Sequence, residues 1–289
     1  FVVKLDASGN FVWANHFGGA GPEGVVFSLA LDGLGNLYSF GEFSGVMDFD
    51  PGAAVFNIQS KGSVDIFLVK LDLSGNLVWA KQLGGIQWDR GSHVTVDALG
   101  FIYVTGEVYG IADFDPGVGV FNIGAFGGGN IFLSKLDAAG NLVWAKSMGN
   151  AYINNHGLSI AVNPLGSIYS TGTFAGTIDF DGSPGIFNVT AQSSDIYITK
   201  LGTNANFIRV KLFSGPWQKV PNSMDIDPLG CVYTTGYFIG ITDFDPSANV
   251  LQLIPYGTSD IFIYKMCPCN IVSTETPVQD NDYSLAQAY

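Results

Sequence analysis

The chain has 289 residues and a formal net charge of −13, because 25 Asp and Glu outnumber 12 Lys and Arg. This balance excludes nucleic-acid binding through a basic face. The 22 Phe, 12 Tyr and 5 Trp exclude a disordered acidic tail, and no apolar run reaches the roughly 18 residues of a membrane span. The 38 Gly, the abundance of Val, Ile, Phe and Tyr, and the scarcity of long-chain helix formers favour an all-β protein.

A string at the start of the chain recurs along it. Phe1-Val-Val-Lys-Leu-Asp-Ala-Ser-Gly-Asn-Phe-Val-Trp-Ala returns from Phe67 and from Phe132, in degraded form from Tyr197, and as a half copy over Asp260–Lys265. One lysine in each copy marks a spacing of 66, 65, 65 and 65 residues: Lys4, Lys70, Lys135, Lys200 and Lys265. A fixed period of this kind is typical of proteins built from stacked units.

Two further strings keep step with the first. Asp32-Gly-Leu-Gly-Asn-Leu-Tyr38 recurs with a glycine three residues after each tyrosine, at Gly41, Gly106, Gly172 and Gly236. Asp48-Phe-Asp-Pro51 recurs as Asp113 to Pro116, Asp179 to Gly182 and Asp243 to Pro246. In the second unit the pattern predicts strands near His93–Asp97, Ile102–Glu107, Asn130–Leu136 and Leu142–Met148, joined by turns that contain Asp and Gly.

Four short strands at a fixed period predict the blades of a β-propeller, with about 65 residues in each blade. The extra length relative to blades of about 40–50 residues lies between Gly41 and Asp65 and at the equivalent positions. We expect this insertion to form a hairpin on one face of the ring.

The chain begins and ends in mid-repeat. The expectation is a ring of four or five blades closed by the N-terminal strands. The alternative is that Phe1 marks a processed or cropped chain and that the blades form an arc of a larger ring. We assign residues 1–266 to the propeller repeats and residues 267–289 to a C-terminal linker or tail.

The recurring strings resemble the SBBP β-propeller repeat of secreted and cell-surface bacterial proteins. The resemblance covers about residues 1–266, and the Asp-Phe-Asp-Pro-Gly version is similar to repeats in large secreted proteins of gliding and related bacteria. It implies an extracellular or cell-surface protein. It also implies that the protein is exported by type IX secretion. The tail from Asn281 to Tyr289 resembles the approach to the sorting domain of such proteins, but the domain itself is absent from this sequence.

The aspartate pairs of the insertions are the candidate metal ligands. Two carboxylates at i and i+2 of an extended segment point the same way, and Ca²⁺ prefers oxygen ligands of this kind. The alternative is that the first Asp caps a turn and the second begins an Asp-Pro-Gly turn. The eight residues are Asp48, Asp50, Asp113, Asp115, Asp179, Asp181, Asp243 and Asp245.

Other recurring or reactive residues indicate structure more than chemistry. Trp13, Trp79 and Trp144 occupy one repeat position, where an aromatic row either stacks on a sugar or packs between blades. The repeat lysines are expected to pair with aspartates or to extend from the sheet edge. The three histidines, His16, His93 and His156, fall at different repeat positions. No catalytic residues are predicted.

Three cysteines leave several arrangements open. Cys267-Pro-Cys269 follows the last repeat strand, and Cys231 begins a strand of the fourth unit. An extracellular setting permits a disulfide between Cys231 and one of the other two. The sequence does not determine which pairing forms.

The leading functional hypothesis is a secreted or surface-attached binding, adhesion or scaffold module, with a protein or glycan ligand at the insertion face. The second is a carbohydrate-active enzyme with a funnel on the propeller axis, since two carboxylates can hydrolyse a glycosidic bond. The third is self-assembly into a surface layer or filament through the edges of a split blade.

Overall fold

A computed structural model describes residues 1–19, 24–149, 155–182, 185–247, 249–267 and 285–286. These residues form antiparallel β-strands joined by short turns. The predicted all-β fold is confirmed, because the regular elements of these ranges are all strands. Within the same ranges no helix is long and apolar enough to cross a membrane.

The strands follow the repeat along the chain. An N-terminal hairpin contains β1 (Val2–Leu5) and β2 (Phe11–Asn15). Unit one contains β3 (Gly24–Leu31), β4 (Leu37–Phe43), β5 (Val46–Asp48), β6 (Asn57–Gln59), β7 (Asp65–Leu71) and β8 (Leu77–Gly85). Unit two contains β9 (Arg90–Val96), β10 (Ile102–Asp113), β11 (Asn122–Leu136) and β12 (Leu142–Met148). Unit three contains β13 (His156–Val162), β14 (Ile168–Asp179), β15 (Asn188–Leu201) and β16 (Phe207–Phe213). Unit four contains β17 (Lys219–Ile226), β18 (Val232–Phe238), β19 (Thr242–Asp243), β20 (Gln252–Leu253) and β21 (Asp260–Met266), and β22 (Leu285–Ala286) follows it.

Each of the first three units has four antiparallel strands, as predicted, and they pair in chain order. The end of β8 also pairs with the end of β10, which joins units one and two in one eight-stranded sheet. The insertions form hairpins, also as predicted. In units one and four the insertion is a separate two-stranded sheet, whereas in units two and three it extends the second and third strands. In unit four, β22 pairs with the outer edge of β21.

The units pack face against face. The first strands β3, β9, β13 and β17 lie side by side in that order. One apolar cluster joins Ile66 and Leu68 of unit one to Val94 and Val104 of unit two, and equivalent clusters join the later units. The N-terminal hairpin covers the other face of unit one, where Val2 is buried in a cluster with core residues of that unit. Both faces of units one to three are thus covered by their sequence neighbours.

The repeated glycine of the second strand has a steric cause. The first strand of each unit contains a β-bulge opposite this glycine, where the pairing register shifts. The bulge brings a carbonyl oxygen so close that a Cβ on Gly41, Gly106, Gly172 or Gly236 would lie 1.8–2.0 Å from it. Only glycine fits, because no side-chain atom can occupy that space.

The blade number and ring closure stay predictions. Among the described residues, β1 pairs with β2, and the outer partner of β21 is β22. No strand pairing between the N-terminal hairpin and unit four is therefore present in the described part of the chain.

Gly106→Ala should destabilise the protein by about 2–3 kcal/mol, because the new methyl group would force β9 away from β10. Its Cβ would lie 2.0 Å from the carbonyl oxygen of Arg90. Urea unfolding measures the change. Gly33→Ala is the control, since a Cβ at Gly33 has no neighbour within 4 Å. Equal unfolding midpoints for the two variants would contradict the steric explanation.

Candidate functional site

All four insertions lie at one end of the molecule, which we call the insertion end. In an antiparallel unit the connection from the second to the third strand emerges at the same end as the connection to the next unit. The Asp-Gly turns between the first and second strands and between the third and fourth lie at the opposite end. Any surface built from the insertions is therefore repeated from unit to unit at one end.

The aspartate pairs cap the turns of the insertions. Asp48 Oδ1 accepts hydrogen bonds from the backbone N–H groups of Asp50 at 3.0 Å and Phe56 at 2.8 Å, and Asp50 Oδ1 accepts from Gly52 at 2.7 Å. The first aspartate of the other three insertions accepts the same two bonds. The turn interpretation thus accounts for one oxygen of Asp48, Asp113, Asp179 and Asp243.

The phenylalanine between the two aspartates anchors each insertion. Phe49, Phe114, Phe180 and Phe244 are 0–1% exposed and belong to the clusters between units. The backbone beside this residue also pairs with the preceding structural element, through Asp48 with Gly18, Asp113 with Gly84 and Asp243 with Ser214. The Asp-Phe-Asp motif therefore attaches each of these insertions to the element before it.

Calcium binding by the aspartate pairs stays a prediction. Within the described ranges, no group of three or more His, Cys, Asp or Glu side chains is arranged to hold a metal ion. Lys61 Nζ lies 3.3 Å from Asp113 Oδ2. Burial tends to raise the pKa of Asp113, but hydrogen bonds from Phe121, Asp115 and Lys61 outweigh it and hold that pKa below its usual value.

A row of exposed apolar side chains follows the aspartate turns. Val55, Val120, Ile186 and Val250 occupy one repeat position and are 66–75% exposed, and the next residue is a 43–46% exposed Phe in units one to three. We call the following residues the insertion row: Val55, Phe56, Val120, Phe121, Ile186, Phe187 and Val250. The sequence analysis predicted a hairpin in each insertion but missed this surface. The sequence signal that could have revealed it is an apolar pair that recurs at one position of each short insertion.

A second polar group at the insertion end recurs in the first two units, where Glu42 and Glu107 each follow the repeated glycine. Glu42 Oε2 lies 3.6 Å from Arg90 Nε of the next unit, and Glu107 Oε1 lies 2.6 Å from His156 Nδ1. Burial raises the pKa of Glu42, although Arg90 opposes the shift. An acid off the repeat pattern would favour the enzyme hypothesis. Glu42 and Glu107 instead share one repeat position, and each already has a basic partner from the following unit.

An exposed aromatic side chain lies beside this polar group. The ring of Trp88, 49% exposed, stacks on Tyr109 with the ring planes 14° apart. The Tyr109 hydroxyl donates to Glu107 Oε2 at 3.4 Å. A stacked pair of this kind offers a flat face to a ligand, but it occurs only at the boundary between units one and two within the described residues.

Buried polar side chains lie where successive units meet. One repeat position of the third strands is occupied by Asp65, Asn130 and Asp195, all buried. The residues before the first strands of units two and three are Asp89 and Asn155, and the first strand of unit four begins with Lys219, all buried. The boundaries thus carry an acid–acid, an amide–amide and an acid–base combination. The sequence analysis missed these residues, because their types differ from copy to copy.

The acid–base boundary is a complete ion pair. Lys219 Nζ lies 2.8 Å from Asp195 Oδ1 and donates to the carbonyl oxygens of Ser194, Gly215 and Trp217 at 2.9–3.1 Å. Both side chains are fully buried. A buried charge is tolerated only when it is paired and hydrogen-bonded in this way.

At the acid–acid boundary, no basic side chain among the described residues forms an ion pair with Asp65 or Asp89. Asp89 accepts from the N–H groups of Gly85 at 2.6 Å and Tyr109 at 3.0 Å. Burial, with a smaller contribution from the Asp65 carboxylate, raises the pKa of Asp89 to about 6. Burial also raises the pKa of Asp65.

The tryptophan and lysine rows have structural roles. Trp13 and Trp79 pack against the apolar clusters between successive sheets, and the Nε1 of each donates at 3.4 Å to a turn carbonyl of the following unit. These contacts support the packing alternative for both residues. Lys70 Nζ lies 3.6 Å from Asp32 Oδ2 and 5.0 Å from the centre of the Tyr38 ring, which confirms the predicted pairing at this copy.

The structure assigns one disulfide, between Cys231 and Cys267. This bond attaches the residue after β21 to the start of β18. Cys269 lies outside the described residues.

The fold and its repeated contacts define an all-β protein built from propeller-type repeats. Residues 78–112 match the family model of the SBBP beta-propeller repeat. This segment runs from the fourth strand of unit one to the second strand of unit two. The match supports the resemblance seen in the sequence at the level of the repeat.

Two curated proteins are similar to the chain. An uncharacterized WD repeat-containing protein of Acanthamoeba polyphaga mimivirus is 26% identical over 57% of this chain and 14% of that protein. The regulatory protein FlaEY of Caulobacter vibrioides is 25% identical over 71% of this chain and 22% of that protein. The chain thus spans less than a quarter of the length of either relative.

The acid–acid boundary predicts a loss of stability as the pH rises. Asp89 binds its proton more tightly in the folded chain, with a pKa of about 6 against 3.8. Its stabilising effect is therefore complete below about pH 4 and is lost as the pH rises through 6, by at most about 3 kcal/mol. Asp89→Asn should gain stability relative to wild type between pH 4 and 6, as measured by urea unfolding. The exposed Asp225→Asn is the control, and parallel pH profiles for the two variants would contradict the assignment.

Proposed function

We propose that this chain is a protein-binding module that presents its insertion hairpins as one composite surface. The insertion row carries the proposal, because exposed apolar side chains recur at equivalent positions of successive units. Units one to three each expose an adjacent aliphatic and phenylalanine pair here, and contiguous exposed apolar side chains are typical of interaction surfaces. The capping aspartates hold the turns that present them.

The chemistry of the surface indicates the chemistry of its partner. Each exposed aliphatic residue lies a few positions after an aspartate pair, in a chain with a net charge of −13. A partner with apolar side chains interspersed with Lys or Arg complements both features. Repetition also lets an extended partner contact several units at once, which raises affinity without stronger individual contacts. The names of the relatives, a WD repeat protein and a regulatory protein, agree with a binding role.

Secretion and cell-surface adhesion form the finer part of this proposal. The Cys231–Cys267 disulfide supports it, since disulfides persist in oxidising compartments. The resemblance to SBBP repeats of secreted proteins supports it as well. Type IX secretion, a glycan ligand, carbohydrate cleavage and self-assembly stay hypotheses.

A variant with Val55→Thr, Val120→Thr and Ile186→Thr tests the surface. The probe is a peptide selected on the wild-type chain from a random displayed library, and calorimetry measures its dissociation constant. Each lost apolar group is worth about 0.8 kcal/mol when the partner buries it. Three such losses predict binding at least tenfold weaker.

The matched control is Val78→Thr, Val143→Thr and Ile208→Thr, which changes equivalent exposed residues on the outer strands. This control should bind like wild type. No enriched peptide, or equal loss of affinity in both variants, would overturn the proposal.

Calcium binding at the aspartate pairs is proposed as a separate property of the same end. Titration of Ca²⁺ into the chain should release heat and raise the melting temperature, because a cation would relieve repulsion between the paired carboxylates. Asp48→Asn and Asp113→Asn together should reduce both effects. A titration without heat or thermal shift would end the calcium proposal and leave the binding-module proposal intact.

A further inference from the structure

One face of unit four differs from the same face of the other units. The third strand of each unit carries two apolar residues that face the following unit. In units one to three these residues are 0–2% exposed, at Ile66, Leu68, Ile131, Leu133, Ile196 and Ile198. In unit four the equivalent Ile261 and Ile263 are 76% and 54% exposed. We call the surface formed by Asp260, Ile261 and Ile263 the open face.

The unit-to-unit clusters show what normally covers this surface. Ile196 and Ile198 share a cluster with Met224 of β17 and Val232 of β18. Ile131 and Leu133 pack in the same way on the first two strands of unit three. The open face therefore has the shape and hydrophobicity to receive the first two strands of another unit.

The carboxylate of Asp260, which is part of the open face, indicates the charge that a partner should carry. Asp260 occupies the repeat position of Asp65 and Asp195 and is half-buried, where Tyr256 N–H donates to its Oδ2 at 2.9 Å. A covering sheet would remove this carboxylate from water, which is costly unless the group is paired or takes up a proton. The equivalent Asp65 is covered with a raised pKa, whereas Asp195 is covered with a lysine as its partner. At the only described boundary where the pair carries opposite charges, Lys219 supplies it to Asp195.

We propose that the open face docks a further four-stranded sheet of this repeat type, whose first strand begins with a lysine at the position of Lys219. The sheet buries Ile261 and Ile263, and its lysine pairs with Asp260. A second copy of this chain does not meet this requirement through its first unit. There the equivalent residue is Gly24, which has no side chain to pair with the carboxylate.

The test extends the full chain by one repeat. Residues 202–266 span one repeat period, and a duplicate of them is inserted between Met266 and Cys267. Ile261→Cys in the original unit provides a thiol whose alkylation rate, followed by mass spectrometry of its peptide, reports exposure of the open face. Leu34→Cys, at an exposed turn of the opposite end, is the control and should react equally in all chains.

The expected result is alkylation at position 261 at least tenfold slower in the extended chain than in the parent. In a second extended chain, methionine replaces the duplicate of Lys219. We expect this chain to lose most of the protection. An unprotected thiol in the lysine form, whether or not the added repeat folds, overturns the docking proposal. Equal protection in the lysine and methionine forms overturns the pairing with Asp260. Concentration-dependent dimerisation of the parent chain, with position 261 protected in the dimer, assigns the face to a second copy instead.

Discussion

The two-sided burial of each sheet is the constraint on which the rest of this structure depends. A four-stranded unit has apolar side chains on both faces, so it needs a neighbour on each side to remove them from water. Ile66 and Leu68 are buried only because unit two lies against unit one, and the same holds for each later pair. The Asp-Phe-Asp motif serves this constraint, because its buried phenylalanine joins the clusters between units. The motif that looked most like a ligand site is therefore also part of the packing.

Buried polar residues help to determine which unit packs against which, because the apolar faces alone do not distinguish the units. Apolar faces of repeated units resemble one another, so any unit could in principle follow any other. The buried pairs at the boundaries differ, with Asp89 against Asp65 and Lys219 against Asp195. Placing unit four after unit two would set Lys219 beside Asn130, whose amide offers the buried ammonium group no counter-charge. Because a buried unpaired charge is costly, this difference disfavours that order of units.

The insertion end combines a rigid base with an exposed tip. Hydrogen bonds from the first aspartate hold each turn, and a buried phenylalanine holds the hairpin to the sheet stack. The apolar residues that follow, such as Val120 and Phe121, remain exposed on that base. A surface preorganised in this way loses little conformational entropy when it binds. Function can then vary in the insertions while the sheets stay the same.

Much of the fold was predictable from the sequence, and less of the candidate site. The period of about 65 residues, the four strands of unit two and the hairpin insertions follow from local patterns, which a repeat makes visible by repetition. The bulge opposite Gly106, the Asp89–Asp65 boundary and the exposure of Ile261 were not predictable. The bulge depends on how β9 pairs with β10 inside unit two, and the other two features depend on what a neighbouring unit places beside the residue. Local sequence patterns carry no signal for either.

The sequence by itself determined the class of fold and the positions of its turns, because alternating apolar residues, Asp-Gly turns and a fixed period are local properties of the chain. Only the tertiary structure decided which aspartates cap turns, which lie buried between sheets and which apolar residues stay exposed. Identical residue types at equivalent positions, such as Ile196 and Ile261, differ in burial for one physical reason. A side chain is removed from water by its neighbour in space, and the neighbour is set by how the units stack.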